Sequence, residues 1–155
     1  MENQEFKIKN CLVETYKHVK SVSSNINIFV RELINRAENH DNSKFEEPEL
    51  SIYAEMTPEL AKTEYGSQEY KELLLKVKPA INHHYANNGH HPEFHKNGID
   101  DMDLIDLQEM LADWCAATKR VSNGNIRKSI DINAERFNIN PQLKRILENT
   151  VKNYF

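Results

Sequence analysis

The run Met110-Leu111-Ala112-Asp113-Trp114-Cys115-Ala116-Ala117-Thr118 is apolar on nearly every face of a helix, yet it carries a carboxylate at its centre. A helix that is hydrophobic all round must be covered on all sides. The run therefore predicts a central helix, Asp103 to Arg120, with other helices packed about it. An ionised carboxylate in such a place costs several kcal/mol unless it is paired, hydrogen-bonded or bound to a cation. A basic residue such as Lys119 or Arg120 could neutralise Asp113, and so could a metal ion.

The flanking segments supply the covering helices. Ile8, Leu12, Tyr16 and Val19 stand at helical spacing and predict a first helix over residues 5–20, with His18 on its flank. The weak helix formers Ser21-Val22-Ser23-Ser24-Asn25 predict a turn, followed by a second helix from Ile26 to Glu38 that His40-Asp41 closes. Pro48 to Met56 reads as a short third helix, and Thr57-Pro58-Glu59 as a fresh start. From Ser67 the series Tyr70, Leu73, Leu74, Val77, Ile81 and His84 keeps a 3.6-residue period through Pro79, which should kink the helix without ending it. Asn-Asn-Gly, His-Pro and Asn-Gly mark residues 87–100 as the one substantial loop. Helices from Ile126 to Phe137 and from Asn140-Pro141 to Asn153 follow. No strand-like run or repeat is present, and four Gly and five Pro are too few for a loop-rich β fold. The expectation is all-α, one single-domain helical bundle over 1–155.

The formal net charge of −4 argues against a face for duplex nucleic acid. No apolar run approaches the ~20 residues that span a bilayer, so a membrane is not expected as a partner. Cys11 and Cys115 lie inside helical patterns without metal-ligand spacing and read as reduced, buried thiols of a cytoplasmic protein. The assembly state is open, a homodimer being the commonest arrangement.

Five of the seven histidines fall between His83 and His95. Imidazoles and carboxylates dispersed over separate helices are what a helical protein needs to assemble a metal site by folding. His40 and Asp41, adjacent at a helix end, can reach one ion together. His83 and His84 point about 100° apart, and His84 shares the stripe of Val77 and Ile81, so it is the one expected to face inward. His90 and His91 could hold a second ion, grip a phosphate when protonated, or cap the loop. His95 reads as a solvated loop residue, Glu46-Glu47 and Asp100-Asp101-Asp103 as solvated helix starts, and Trp114 and Tyr53 as core.

The segment His40-Asp41-Asn42-Ser43-Lys44-Phe45 resembles the His-Asp-x-x-Lys signature of the HD-domain superfamily of metal-dependent phosphohydrolases, and His18, His40, Asp41 and Asp113 follow in that superfamily's order. His83-His84, Gly89, Pro92, the helix Asp113 to Arg120 and the turn Phe137-Asn138-Ile139-Asn140-Pro141 are similar in spacing to its HD-GYP branch. The Gly-Tyr-Pro motif is absent and Tyr85 stands where that branch has an acidic residue, so specificity for a cyclic dinucleotide does not carry over. The segments His-Asp-x-Ser-Lys-Phe and His-His-x-x-x-Asn-x-His-His-Pro-Glu look like a small uncharacterised family of bacteria and their phages.

This resemblance implies an HD-like bundle with His18, His40, Asp41, His84 and Asp113 as ligands of one or two divalent transition ions (Mn, Fe, Ni, Co or Zn). It implies hydrolysis of a nucleotide or other small phosphoester. Lys44 would offset phosphate charge, His84 or His91 would protonate the leaving group, and His83, His90 and Arg120 would contact substrate. Di-iron oxygenase chemistry, which some members of the superfamily perform, and a non-enzymatic module that keeps its metal or binds a nucleotide without cleaving it are the alternatives.

Overall fold

Between Glu2 and Asn39 the sequence contains neither Gly nor Pro, and a single helix, α1 (Glu2–Asn39), runs the whole way. The turn expected at 21–25 does not form. Ser and Asn each cost a helix only about half a kcal/mol relative to Ala, while every added residue gains a backbone hydrogen bond once the helix is nucleated. Val22 and Ile26 also keep the apolar period through the polar stretch. Cys11, expected to be buried, is exposed on this helix. The structure is a computed structural model that describes residues 2–64, 67–120 and 123–155, and the chain separates into two units, residues 1–38 and 39–155.

The second unit is built of helices, with no strand among its described residues, as expected. A short 3-10 turn, Asn42–Phe45, leads from His40-Asp41 to α2 (Glu49–Lys62). That helix passes straight through Pro58, so the two short segments read from the sequence are one. Proline 58 cannot bond the carbonyl of Ala54, but Ala54 is exposed and water can take that place. Helix α3 (Gln68–Asn87) accommodates Pro79 in the same way, with the corresponding carbonyl on the exposed Leu75. Its start is fixed by Ser67, whose Oγ accepts from the Tyr70 amide at 3.0 Å.

Helix α4 (Leu104–Lys119) opens on a capping box in which Asp103 and Asp106 each accept from the other end's backbone amide. Helices α5 (Ile126–Arg136) and α6 (Pro141–Tyr154) begin on the side-chain caps of Asn125 and Asn140. Leu111 and Cys115 of α4 bury themselves against Ile130 and Ala134 of α5, Ile139, and Leu147 and Val151 of α6. Trp114 is partly buried at the margin of this core and stacks on Phe137, their ring centroids 6.4 Å apart. Gly124 closes the way from α4 to α5, where a Cβ would lie 1.8 Å from the Thr118 carbonyl oxygen, so no other residue fits without a backbone shift. No helix among the described residues is long and apolar enough to cross a membrane.

Two packed layers thus frame the polar residues. Helices α2 and α3 lie against each other and bury Met56, Val77 and Ala80. Residues 88–103 then connect α3 to α4 through two further 3-10 turns, Pro92–Phe94 and Gly98–Asp101. This connection is anchored from within. His95, expected to be solvated, points its Nε2 at the Gly89 carbonyl at 2.8 Å and is only 13% exposed.

Candidate metal centre

Asp41 occupies the left-handed region at φ 57°, ψ 21°, a conformation that does not continue a right-handed helix. Asp tolerates this region better than most residues, and strained backbone of this kind concentrates where a side chain must be aimed. Asp41 Oδ1 lies 3.3 Å from His84 Nε2 and 3.5 Å from His90 Nε2. His84 Nε2 in turn lies 2.9 Å from His91 Nε2. Each of the four residues brings one ligand atom within 4.8 Å of the others. Atoms bound tetrahedrally at about 2.0–2.1 Å from one ion stand roughly 3.3–3.4 Å apart. The observed separations bracket that edge length.

Two of these atoms, Asp41 Oδ1 and His90 Nε2, are buried and make no hydrogen bond among the described residues. Buried polar atoms without partners are rare and call for an explanation such as an ion. Nitrogen and oxygen donors without thiolate suit a divalent transition ion. The residues present fit such an ion.

Two carboxylates hold the imidazoles from behind. Glu49, wholly buried at the start of α2, receives His83 Nδ1 on one oxygen at 2.8 Å and His84 Nδ1 on the other at 3.0 Å. Glu109 Oε1 on α4 lies 2.8 Å from His40 Nδ1 and 3.1 Å from His90 Nδ1. An imidazole that donates its Nδ1–H to a carboxylate presents the Nε2 lone pair on its other side. Nε2 of His84 and His90 accordingly face Asp41, and so does His40 Nε2, 3.5 Å from Asp41 Oδ2. The Asn88 amide donates to the His84 carbonyl at 2.7 Å and to Ser43 Oγ at 2.8 Å, tying the end of α3 to the turn after Asp41. His40, His90 and Glu109 form a second group with ligand-like spacing.

The electrostatics divide the cluster into ready ligands and a proton holder. Burial, then the neighbouring His90 and His84, pushes the His91 imidazole down to about 4, and burial also lowers His84. Both are neutral near pH 7, as ligands must be. Burial works to raise the Asp41 carboxyl, but the hydrogen bond and charge of Lys44 outweigh it and hold the group below its usual range. Asp113 is lowered chiefly by the neighbouring His40, whose Nε2 lies 3.8 Å away. His40 itself is raised to about 10, first by Asp113 and then by Glu109. The site therefore demands positive charge, which a proton on His40 supplies when no ion does.

Of the residues expected to act, His40, Asp41, His84, His90 and His91 come together here. Lys44 sits at the exposed edge, its ammonium bonded to Asp41 Oδ2. His83 stands behind the cluster on Glu49. Asp113 reaches His40 Nε2 at 3.8 Å and lies outside both ligand groups, bordering a cleft of about 230 Å³ whose walls include Tyr85, His91, Trp114, Asn133 and Arg136. His18 belongs to neither ligand group and is exposed on the uninterrupted α1. Arg120 is exposed at the end of α4, about 10 Å further along the helix than Asp113 at 1.5 Å per residue.

Glu49, Glu109 and Arg136 were not singled out from the sequence. Asp106, Glu109 and Asp113 recur at i, i+3 and i+7, so they share one face of an otherwise apolar helix, and Glu49 precedes Tyr53 and Met56 on the inward stripe of α2. Those periodicities were the available signal. Arg136 had none, since its role depends on a cleft between elements distant in sequence.

No curated protein and no solved structure matches the chain. Residues 7–153 match the model of a family of unknown function, DUF5662, and the chain belongs to that family.

Proposed function

We propose that the chain is a metal-dependent phosphohydrolase acting on a small phosphoester, a nucleotide included. The observation that carries this reading is the pair of unpartnered buried atoms, Asp41 Oδ1 and His90 Nε2, aimed at the same point as the Nε2 of His84. Similarity of His40-Asp41-Asn42-Ser43-Lys44 to the HD-domain signature supports the hydrolytic choice among metal chemistries. A divalent ion held by Asp41, His84, His90 and His91 would lower the pKa of a bound water toward ~7 and polarise a phosphoryl oxygen.

The protein's own groups would do the rest. Glu49 and Glu109 fix the imidazole tautomers. The cleft beside His91 and Asp113 is small against the 300 Å³ or more of typical ligand sites, so it would take the phosphate and leave the remainder of the substrate outside. Arg136, in the cleft wall and bonded to Glu93 at 2.7 Å, can turn its remaining donors on phosphate oxygens. Lys44 would offset charge at the exposed edge beside Asp41. His40 Nε2, 3.8 Å from Asp113 of the cleft wall, would pass a proton to a leaving oxygen there.

Elemental analysis of purified protein, followed by a panel of phosphomonoesters and phosphodiesters assayed with the ion found, tests this. A transition ion in the wild type, its loss in Asp41→Ala and release of phosphate or a phosphomonoester are expected. Full metal in Asp41→Ala, or no turnover of any ester by the loaded protein, would overturn it. The burial of His84 and His90 favours one second reading, an ion kept for stability alone, in which chelation lowers the melting temperature although no ester is cleaved.

A further inference from the structure

Helix α1 leaves Ile8, Leu12, Val19, Val22, Ile26 and Phe29 exposed, Leu12 by 64%. With Thr15 and the half-buried Leu33 these residues follow the alternating spacing 4-3-4-3-4-3-4 from position 8 to position 33. That is a seven-residue repeat sustained for almost four turns of the pattern, the signature of a helix that packs along its length against another helix. The positions diametrically opposite the seam, Asn10, Lys17, Ser24 and Arg31, are all polar. We propose that α1 is a self-association surface whose occupant is the α1 of a second copy, laid antiparallel.

Charge chooses the direction. The repeat places Glu5 and Arg36 in the seam just beyond its two apolar ends. Side by side in parallel, Arg36 would meet the partner's Arg36 and Glu5 the partner's Glu5. In the antiparallel register that sets Val19 against the partner's Val22, Leu12 meets the partner's Phe29, Ile8 meets the partner's Leu33, and Glu5 meets the partner's Arg36 at both ends. Arg36 also bonds Glu32 of its own helix through Nε at 3.1 Å.

The area is sufficient. The seven apolar seam residues, with Tyr16 and Val30 beside them, expose on the order of 100 Å² each, or roughly 800–900 Å² per copy, which matches the ~800 Å² per partner of a stable interface. A 38-residue helix of this amphipathic kind draws most of its stability from packing its apolar face.

Sedimentation equilibrium of the full chain is the test, with helicity followed by circular dichroism. The wild type is expected at twice the 18.1 kDa of one chain, and Ser24→Glu, on the polar side, should stay there. Val22→Glu should weaken the dimer at least 100-fold. Arg36→Glu should weaken it about tenfold, and adding Glu5→Arg to the same chain should restore it. A wild type that is monomeric at 100 µM, or Ser24→Glu and Val22→Glu dissociating alike, would overturn the association. Failure of the double exchange to restore dimerisation would overturn the antiparallel register.

Discussion

Helix α4 presents two faces to the interior, and they are buried by opposite means. Leu111 and Cys115 enter the core with α5 and α6, where the removal of apolar area from water suffices and no individual partner is required. Asp106, Glu109 and Asp113, on another face of the same helix, are brought in with polar partners: Glu109 with His40 and His90, Asp113 beside His40, and Asp106 with the Asp103 amide at 3.2 Å and beside His95 at 3.7 Å. The apolar face is interchangeable in detail, since any well-shaped hydrophobe of similar volume would serve. The acidic face is not, because removing one member leaves a charge or a lone pair stranded in low dielectric. Geometry is thus imposed on the polar side and only volume on the other, as expected if that side works on a ligand.

The sharpest way to break this contrast is at Asp41, the carboxylate on which three imidazoles converge. Asp41→Asn preserves the volume but loses the charge, and metal affinity should fall by on the order of 1,000-fold or more. Equilibrium dialysis against a chelator of known affinity reads this directly, and an affinity within tenfold of wild type would dissolve the distinction between the faces. Leu111→Ala probes the other side. Truncating a buried Leu costs about 2–5 kcal/mol, so the denaturation midpoint should drop steeply while the remaining folded protein binds the ion with wild-type affinity. Loss of binding in step with loss of stability would mean that the core and the centre are one cooperative unit.

A smaller effect is expected where a carboxylate orients a ligand without touching the ion. Glu109→Gln keeps an acceptor for one imidazole but cannot serve His40 and His90 as a charge. Changes of this kind typically cost 10–100-fold in metal affinity. Isothermal titration with the ion that elemental analysis identifies measures it. If Glu109→Gln matches Asp41→Asn, Glu109 is itself a ligand, and the group of His40, His90 and Glu109 holds a second ion.

The same contrast explains what could be read from the amino-acid sequence. Apolar period and cap residues made α3, α4, α5 and α6 visible, because Ser67, Asp103, Asn125 and Asn140 act on amides within three residues of themselves. Serines and asparagines at 21–25 misled, since their local preference is weaker than the cooperativity of a long helix without Gly or Pro. In the site, His40-Asp41 and His84 were legible as motif and stripe. Glu49 and Glu109 were hidden by chemistry that acidic residues usually perform on surfaces, and only their place on a buried periodicity sets them apart. His18 lies in the unit of residues 1–38, apart from the unit that carries the cluster, so sequence order alone does not bring it to the others.

The mildest test concerns the proton that stands in for an ion. In chelated protein the folded state holds His40 at about 10, raised by Asp113 first and Glu109 next, against an ordinary value of 6.5 in the unfolded chain. A raised folded value makes the native state bind a proton that the unfolded state releases, so this contribution is complete below pH 6.5 and is lost as pH rises through 10. About a third of the side chain is exposed, and solvent screening keeps the effect modest. Urea midpoints of the chelated protein should therefore decline between pH 6.5 and 10 relative to those of His40→Gln, which has no proton to lose. Superimposable pH profiles for the two proteins would mean that His40 carries no special charge. The convergence around Asp41 would then have to be neutral in the metal-free state, with its carboxylates rather than its imidazole taking up the proton, and the helix face that now looks ionic would be buried by the same means as its apolar counterpart.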